Sequence, residues 1–173
     1  MIFETERLFI RKLRKYDIDG FYDMQSNPKV MQHIKKFMNR SESEHELKRF
    51  MNYYKNEDMF FNIWAVEQKN DNSFIGICGV YENDKSEFEI AYRLREFYWK
   101  KGFGTEIAKG LITYCFETLS LNELSAYVRV QNNGSISILE KEMEFINEFH
   151  CEKTNFYERL YKLKRENWLH RRA

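Results

Sequence analysis

The chain has 173 residues, of which 43% are hydrophobic and 17% aromatic, enough to build a sizeable core and too much for a disordered chain. Its 28 Lys+Arg stand against 27 Asp+Glu, so net charge offers no basis for a nucleic-acid or membrane partner. No composition shift or Pro/Gly/Ser-rich linker divides it, and one domain over residues 1–173 is expected.

Thr5 to Lys12 alternates Leu8 and Ile10 with charged residues and reads as an amphipathic strand. Asp17 is placed to cap a helix carrying Ile18, Phe21, Tyr22 and Met24, which stops before Asn27-Pro28. A short segment with Val30, Met31 and Ile34 follows. Ser41 or Ser43 then caps a second helix, with Leu47, Phe50, Met51 and Tyr54 on one face. Phe60 to Val66 and Phe74 to Tyr81 read as strands joined by the turn Lys69-Asn70-Asp71-Asn72, and Phe88 to Leu94 as a third, making an antiparallel meander.

Gly104 to Leu119 has the clearest helical period in the chain. Ile107, Ala108, Leu111, Ile112, Cys115, Phe116 and Leu119 fall on one broad stripe, which is a core face and not a cofactor box. Leu124 to Val130 is strand-like, Ser135 to Lys141 a short helix, and Phe145 to Cys151 and Tyr157 to Leu163 two closing strands. Helices around a largely antiparallel sheet give an α+β fold.

Cys78, Cys115 and Cys151 lie in apolar segments without CxxC spacing, and His33, His45, His150 and His170 are scattered. Reduced thiols, no metal site and a cytoplasmic location follow as expectations. The N-terminus is charged too early for a signal peptide, and no apolar run approaches the ~18 residues of a membrane span. The basic clusters Arg11 to Lys15 and Lys162 to Arg172 read as solvated strand ends and a charged tail.

Two of the seven glycines fall within three residues, in Tyr98-Trp99-Lys100-Lys101-Gly102-Phe103-Gly104-Thr105-Glu106. A dinucleotide GxGxxG would need glycine where Ile107 stands, and no GxxxxGK[ST] loop is present. Glycine can serve here merely as a permissive turn. It can also admit an anion to the unpaired N–H groups and positive dipole of a helix start, with Lys100 and Lys101 adding charge, and a pyrophosphate suits that description.

Glu89-Ile90-Ala91-Tyr92-Arg93-Leu94 followed by this turn resembles the acetyl-CoA site of the GNAT N-acetyltransferases, which use Arg/Gln-x-x-Gly-x-Gly/Ala. Trp99 stands at the first position, as in the branch of the ribosomal-protein N-terminal acetyltransferases RimJ and RimL. Phe3-Glu4-Thr5-Glu6-Arg7-Leu8, Asn27-Pro28-Lys29-Val30-Met31 and Asn132-Asn133-Gly134-Ser135-Ile136 with Leu139-Glu140-Lys141 are similar to further segments of that branch, in the same order. The chain departs from the family after Lys141, where Glu142-Met143-Glu144-Phe145 replaces Leu-Gly-Phe. Leu139 stands where many members carry a tyrosine acid.

The resemblance implies a GNAT-like fold and acetyl transfer from acetyl-CoA to a primary amine, most readily a protein or peptide N-terminal α-amine. A small amine (polyamine, amino acid or aminoglycoside) and a non-catalytic CoA-binding module are the alternatives. It implies that Tyr92, Arg93 and Leu94 offer backbone to pantetheine and to the thioester carbonyl. Trp99, Lys100, Lys101, Gly102, Phe103, Gly104 and Thr105 would hold the phosphates, and Asn132 the pantetheine arm. Glu89 is the expected base and Ser135 the expected proton donor to the thiolate, although Ser135 is equally placed to cap the helix from Ile136. The partners are then acetyl-CoA and the amine acceptor, with no nucleic acid and no membrane; a homodimer is compatible with the sequence.

Overall fold

The computed structural model describes residues 1–56 and 58–172. Its strands are β1 (Phe3–Glu4), β2 (Leu8–Arg11), β3 (Phe61–Gln68), β4 (Phe74–Glu82), β5 (Phe88–Leu94), β6 (Glu123–Arg129), β7 (Glu144–Cys151) and β8 (Phe156–Lys164). The helices are α1 (Ile18–Ser26), α2 (Pro28–Met31), α3 (Arg40–Tyr53), α4 (Phe103–Glu117), α5 (Asn133–Glu142) and α6 (Arg165–His170). All eight strands form one sheet in the order β1-β2-β3-β4-β5-β6-β8-β7. Every neighbouring pair is antiparallel except β5 and β6, which are parallel. This is the expected α+β class. No helix among the described residues is long and apolar enough to cross a membrane.

The strands' period-2 alternation sends side chains to two separate cores. One face packs Leu8, Ile10, Trp64, Ile90 and Leu94 against the α4 stripe and the inner side of α5. The other packs Ile63, Ala65 and Ile77 against Phe21 and Met24 of α1 and Leu47 and Phe50 of α3. Ile107, Leu111, Ile112 and Phe116 of α4 are at most 2% exposed. At about 1.5–3 kcal/mol for each fully buried side chain, this stripe anchors the helix and leaves its N-terminus unencumbered.

Several local expectations are corrected. The strand expected from Thr5 to Lys12 begins only at Leu8, as β2, and is preceded by the separate two-residue β1. Asp17 holds the N-cap position of α1, but its side chain makes no capping bond there; its buried carboxylate accepts from Arg11 at 2.8 and 2.9 Å and from the Arg14 N–H at 2.7 Å. Arg11, far from solvated, is 7% exposed and also pairs with Glu67 at 2.6 Å. Asn39, not Ser41 or Ser43, caps α3, in a reciprocal box with Glu42. The C-terminal basic segment is not a free tail, because α6 buries Trp168 against Phe116. Cys78 and Cys115 are buried thiols and Cys151 is half-buried.

The departure after Lys141 has a simple geometry. Met143 ends α5 with extended backbone (φ −130°, ψ 174°) and places its side chain in the core at 3% exposure. A helix that exits directly into a strand needs no left-handed terminal residue, so glycine is dispensable here.

Candidate active site

The parallel pair β5 and β6 is in register only at Glu89 and Ser125. Beyond that point the strands diverge, and among the described residues the edge of β5 from Ala91 to Leu94 has no strand partner on the β6 side, while β4 still pairs with its other edge. A backbone edge of this kind offers unpaired N–H and C=O groups to an extended ligand. Side chains along β5 divide cleanly. Ile90, Tyr92 and Leu94 face α4 and α5, whereas Glu89, Ala91 and Arg93 lie opposite Tyr81, Gly79 and Ile77 on the face covered by α1 and α3.

The turn after β5 leads straight into α4. Lys100 and Gly102 adopt left-handed backbone at φ 59° and 82°, and Gly102 is the N-cap. The first helical hydrogen bond runs from the Glu106 N–H to the Gly102 carbonyl at 3.1 Å, so the N–H groups of Phe103, Gly104 and Thr105 lie ahead of it. Lys100, Lys101 and Gly102 are exposed. A Cβ on Gly104 would lie 2.9 Å from Ile138 Cδ1, so this second glycine also allows α4 and α5 to approach closely.

The side chains named for this turn do different jobs. Phe103 is core at 5% exposure and offers only its backbone. The Trp99 indole N–H donates to the Leu94 carbonyl at 3.0 Å, tying the end of β5 to the turn. Leu94 is buried and Arg93 points to the opposite face, toward Gln25 and Met31. Their expected contribution as main-chain groups is unaffected.

Asn132 is the N-cap of α5, its Oδ1 accepting from the Ser135 N–H at 3.2 Å. Ser135 is therefore three positions inside the cap and not a cap itself. Its hydroxyl faces the phenol of Tyr92, which is sealed from solvent without a hydrogen bond of ordinary geometry. Burial raises the Tyr92 pKa to about 12, the Ser135 hydroxyl opposing this and the Glu142 charge adding to it.

Glu89 is not the solvated carboxylate that a strand alternation alone would allow. Tyr81 Oη donates to Oε1 at 2.8 Å and Asn83 Nδ2 to Oε2 at 3.1 Å. Burial raises its pKa above the ordinary carboxylate range; the two hydrogen bonds oppose the shift, and the charges of Glu158 and Glu87 reinforce it. Glu87, on the same face, is instead held low by Tyr127, Lys162 and Asn83 against its own burial.

Residues outside the expected set complete the site. Arg7 pairs with Glu106 at 2.7 Å, donates to the Lys101 carbonyl at 3.1 Å and stacks on the Phe103 ring at 4.3 Å, so it buttresses the glycine turn from outside. Arg129 of β6 donates to the carbonyls of Gln32 and Ile34 at 3.1 and 3.3 Å, fastening the segment between α2 and α3. Arg7 stands inside the first segment of the family resemblance, which is the one sequence signal for it. Tyr81, Asn83 and Arg129 carried none, because their partners come from other strands and loops.

A sheet opened between two parallel strands, with a basic glycine turn at a helix start beside the opening, defines an acyl-CoA-using transferase architecture. The description "Acetyltransferase (GNAT) domain" fits residues 7–142, and the chain belongs to the GNAT family. It is an N-acetyltransferase, an acyltransferase of the kind that uses acetyl-CoA. The uncharacterized N-acetyltransferase p20 of Bacillus licheniformis is 32% identical over 139 residues, covering 78% of this chain and 77% of that protein. Among solved structures, a GNAT-family acetyltransferase from Bacillus anthracis superposes with a TM-score of 0.84 at 21% identity, over 94% of this chain and 98% of the other. The ribosomal L7/L12 α-N-protein acetyltransferase RimL, solved with coenzyme A, gives 0.79 at 12% identity over 94% and 97%.

Proposed function

We propose that this enzyme acetylates an N-terminal α-amine of a protein or peptide, with Glu89 as the base. The observation that carries the reading is Glu89 itself: a half-buried carboxylate of raised pKa, aimed by Tyr81 and Asn83, on the strand whose free edge lies beside the glycine turn. An α-amine has a pKa near ~8 against ~10.4 for a lysine, so a carboxylate, directly or through one water, has a far smaller deprotonation to perform. The RimJ/RimL-like segments support this acceptor class. So do the fold likenesses to RimL and to a ribosomal-protein-serine acetyltransferase from Vibrio cholerae, at 12% and 15% identity. A spermidine N-acetyltransferase from Vibrio cholerae shares the fold at 17% identity, and a small amine is the competing acceptor.

In this reading acetyl-CoA is the donor substrate, and the residues fit it. The N–H groups of Phe103, Gly104 and Thr105, with Gly102, Lys100 and Lys101, receive the pyrophosphate at the start of α4. Trp99 fixes that turn to β5. The free edge at Tyr92, Arg93 and Leu94 aligns the pantetheine and polarises the thioester carbonyl through a backbone N–H. The Asn132 side chain, its Oδ1 engaged in capping, keeps its amide N–H groups for the pantetheine arm. Ser135 protonates the departing thiolate, and the Tyr92 phenol behind it takes the place of the tyrosine that Leu139 lacks.

The test is a panel of amines with acetyl-CoA: peptides with free Ala, Ser or Met N-termini, spermidine, amino acids and an aminoglycoside, followed by mass spectrometry. Acetylation at the α-amine of peptides is expected. Transfer to spermidine alone would replace the reading, and CoA binding without any transfer would make the chain a binding module.

A further inference from the structure

Arg93 shares a face of β5 with Glu89, and only Ala91 lies between them on that face. Its Nη1 donates to Gln25 Oε1 and to Met31 Sδ, the latter at 3.4 Å. No carboxylate among the described residues is paired with it. The acid that acts on it through space, Glu46, is already bound to Lys35 and Arg49, at 2.8 Å each. Arg93 Nε and Gln25 Nε2 are both buried and unpartnered.

The chemistry of this spot is one-sided. A guanidinium can only donate, so the oxygen of Gln25 must face it, and the free end of that amide is its N–H2 group. Every unmatched polar atom here is thus a donor, and buried donors are costly to leave unmatched. What is missing is an acceptor-only group, and beside an uncompensated guanidinium the best match is a carboxylate.

The surrounding charges agree. Toward Glu89 this face of the sheet carries Glu87 and Glu158, the former paired with Lys162 at 2.9 Å. The face has a basic end, where Arg93, Lys35 and Arg49 share the single charge of Glu46. Burial lowers the Arg93 pKa to about 10, so it remains a cation at neutral pH. A ligand with an amine at one end and an anion at the other complements this polarity; a polyamine would set a second cation against Arg93.

Spacing narrows the class. Four residues along a strand, at about 3.3 Å each, separate the Cα atoms of Glu89 and Arg93 by roughly 13 Å. Glu89 is held by Tyr81 opposite and Asn83 beyond it, on the side away from Arg93. The amine and carboxylate of a free α-amino acid are too close together to reach both ends. An acidic side chain one or two residues after the amine has the needed span.

We propose that Arg93 and Gln25 form an anion-binding subsite for the acceptor, which selects N-terminal peptides with Asp or Glu at the second or third position. The proposal rests on the reading of Glu89 as the base for an α-amine. A very short peptide whose own C-terminal carboxylate falls at that distance offers the same chemistry from a second source.

The experiment uses the full chain, acetyl-CoA and C-terminally amidated hexapeptides that start with serine and carry Glu, Gln or Lys at positions two and three. A free-acid dipeptide beside its amide, and spermidine, are separate arms. The Glu peptide should exceed the Gln peptide at least tenfold in kcat/KM, mostly through KM, with the Lys peptide poorer still. The dipeptide arm reports whether a main-chain carboxylate is accepted: preference for its free acid extends the subsite to that source, and no preference confines it to side chains. In Arg93→Gln the Glu-over-Gln ratio should fall to about one, and Arg93→Lys should retain part of it. Calorimetry of the same peptides with wild-type protein gives the preference without any variant, should Arg93→Gln fail to fold. Equal acetylation of Glu and Gln peptides by wild type, or an unchanged ratio in folded Arg93→Gln, overturns the subsite while leaving the N-terminal acetyltransferase reading intact. Acetylation of spermidine with no peptide turned over removes both.

Discussion

On one side of β5, Ile90, Tyr92 and Leu94 meet α4 and α5; on the other, Glu89, Ala91 and Arg93 meet Tyr81, Gln25 and Met31. The first side is apolar, its single phenol shut in beside Ser135. In the proposed function it presents the donor with backbone groups and the Tyr92–Ser135 hydroxyl pair. The second side holds two ionisable side chains whose pKa values burial displaces in opposite directions, Glu89 upward and Arg93 downward. On the proposed function, donor recognition is a property of main-chain geometry, which tolerates many side chains. Acceptor recognition would then be a property of particular side chains, and that is where members of one fold can differ in substrate.

The sharpest way to break this division is Glu89→Gln. If the two sides are independent, CoA affinity persists while turnover on the best amine falls roughly 10²–10⁴-fold. In the wild type, turnover should decline as pH drops through the raised Glu89 pKa, a limb lying above the ordinary carboxylate range. The variant should lack that limb and recover partly at high pH, where more of the amine arrives neutral. Stability carries the same signature. Because the folded state holds the Glu89 proton more tightly than the unfolded chain, stability from this group is present at low pH and lost as pH rises through the folded value. Glu89→Gln should therefore lose less stability than wild type between acid and neutral pH. Superimposable pH–rate profiles would remove Glu89 from the chemistry.

Tyr92→Phe tests the donor side. It retains the ring in the core and removes only the buried hydroxyl, so folding should be unaffected. Turnover with acetyl-CoA should drop on the order of 10- to 100-fold, at the low end of proton-transfer contributions. With an acetyl thioester whose thiol is much more acidic, that deficit should shrink. A deficit independent of the leaving group would make Tyr92 a packing residue.

The glycine turn comes next in size. Gly102→Val should weaken CoA binding at least tenfold by obstructing the helix start. Gly102 also sits at φ 82°, where a branched residue is strained whatever the ligand. Gly102→Asn separates the two effects, since asparagine accepts left-handed backbone. It should keep most of the melting temperature and still lose CoA affinity. Lys100→Gly relieves a non-glycine residue at φ 59° while deleting a charge, so CoA affinity and its salt dependence should both decline in a protein that stays folded. Unchanged calorimetric affinity in both folded variants would displace the phosphate from this turn.

Legibility in the sequence followed the range of the interactions. The α4 stripe, the three-strand meander and the glycine turn are local patterns, and all appear within a residue or two of where the periodicity puts them. Caps were legible as a residue type but not as a position. Asn39 lies two residues before Ser41, and Asn132 three before Ser135, and each serine was an equally good candidate until the backbone path was known. Arg11 read as solvated because its partners Asp17 and Glu67 lie 6 and 56 residues away. The same holds for the side chains of the candidate site. Glu89 could be named from the family pattern, but its donors Tyr81 and Asn83, and the pairing of Arg93 with Gln25 from α1, exist only once β4, β5 and α1 have assembled.

The smallest expected effect separates structure from chemistry at the start of α5. Asn132 Oδ1 accepts from the Ser135 N–H, so Asn132→Ala removes the cap and should cost about 0.5–2 kcal/mol of stability. Ser135→Ala keeps both the cap and the backbone N–H that it binds. Its stability loss should be the lesser of the two, within a few tenths of a kcal/mol for a half-buried hydroxyl away from any cap. The kinetic order should be reversed for the thiolate step. Ser135→Ala should lower turnover at unchanged CoA affinity, and combined with Tyr92→Phe it should lower it little further, because the two hydroxyls act on one proton. Asn132→Ala should instead raise the Kd for CoA. Chemical denaturation and a double-mutant cycle on turnover decide the matter: full additivity of Ser135→Ala and Tyr92→Phe would mean that the hydroxyls serve separate purposes. In that case the Tyr92 phenol loses its place in the reaction.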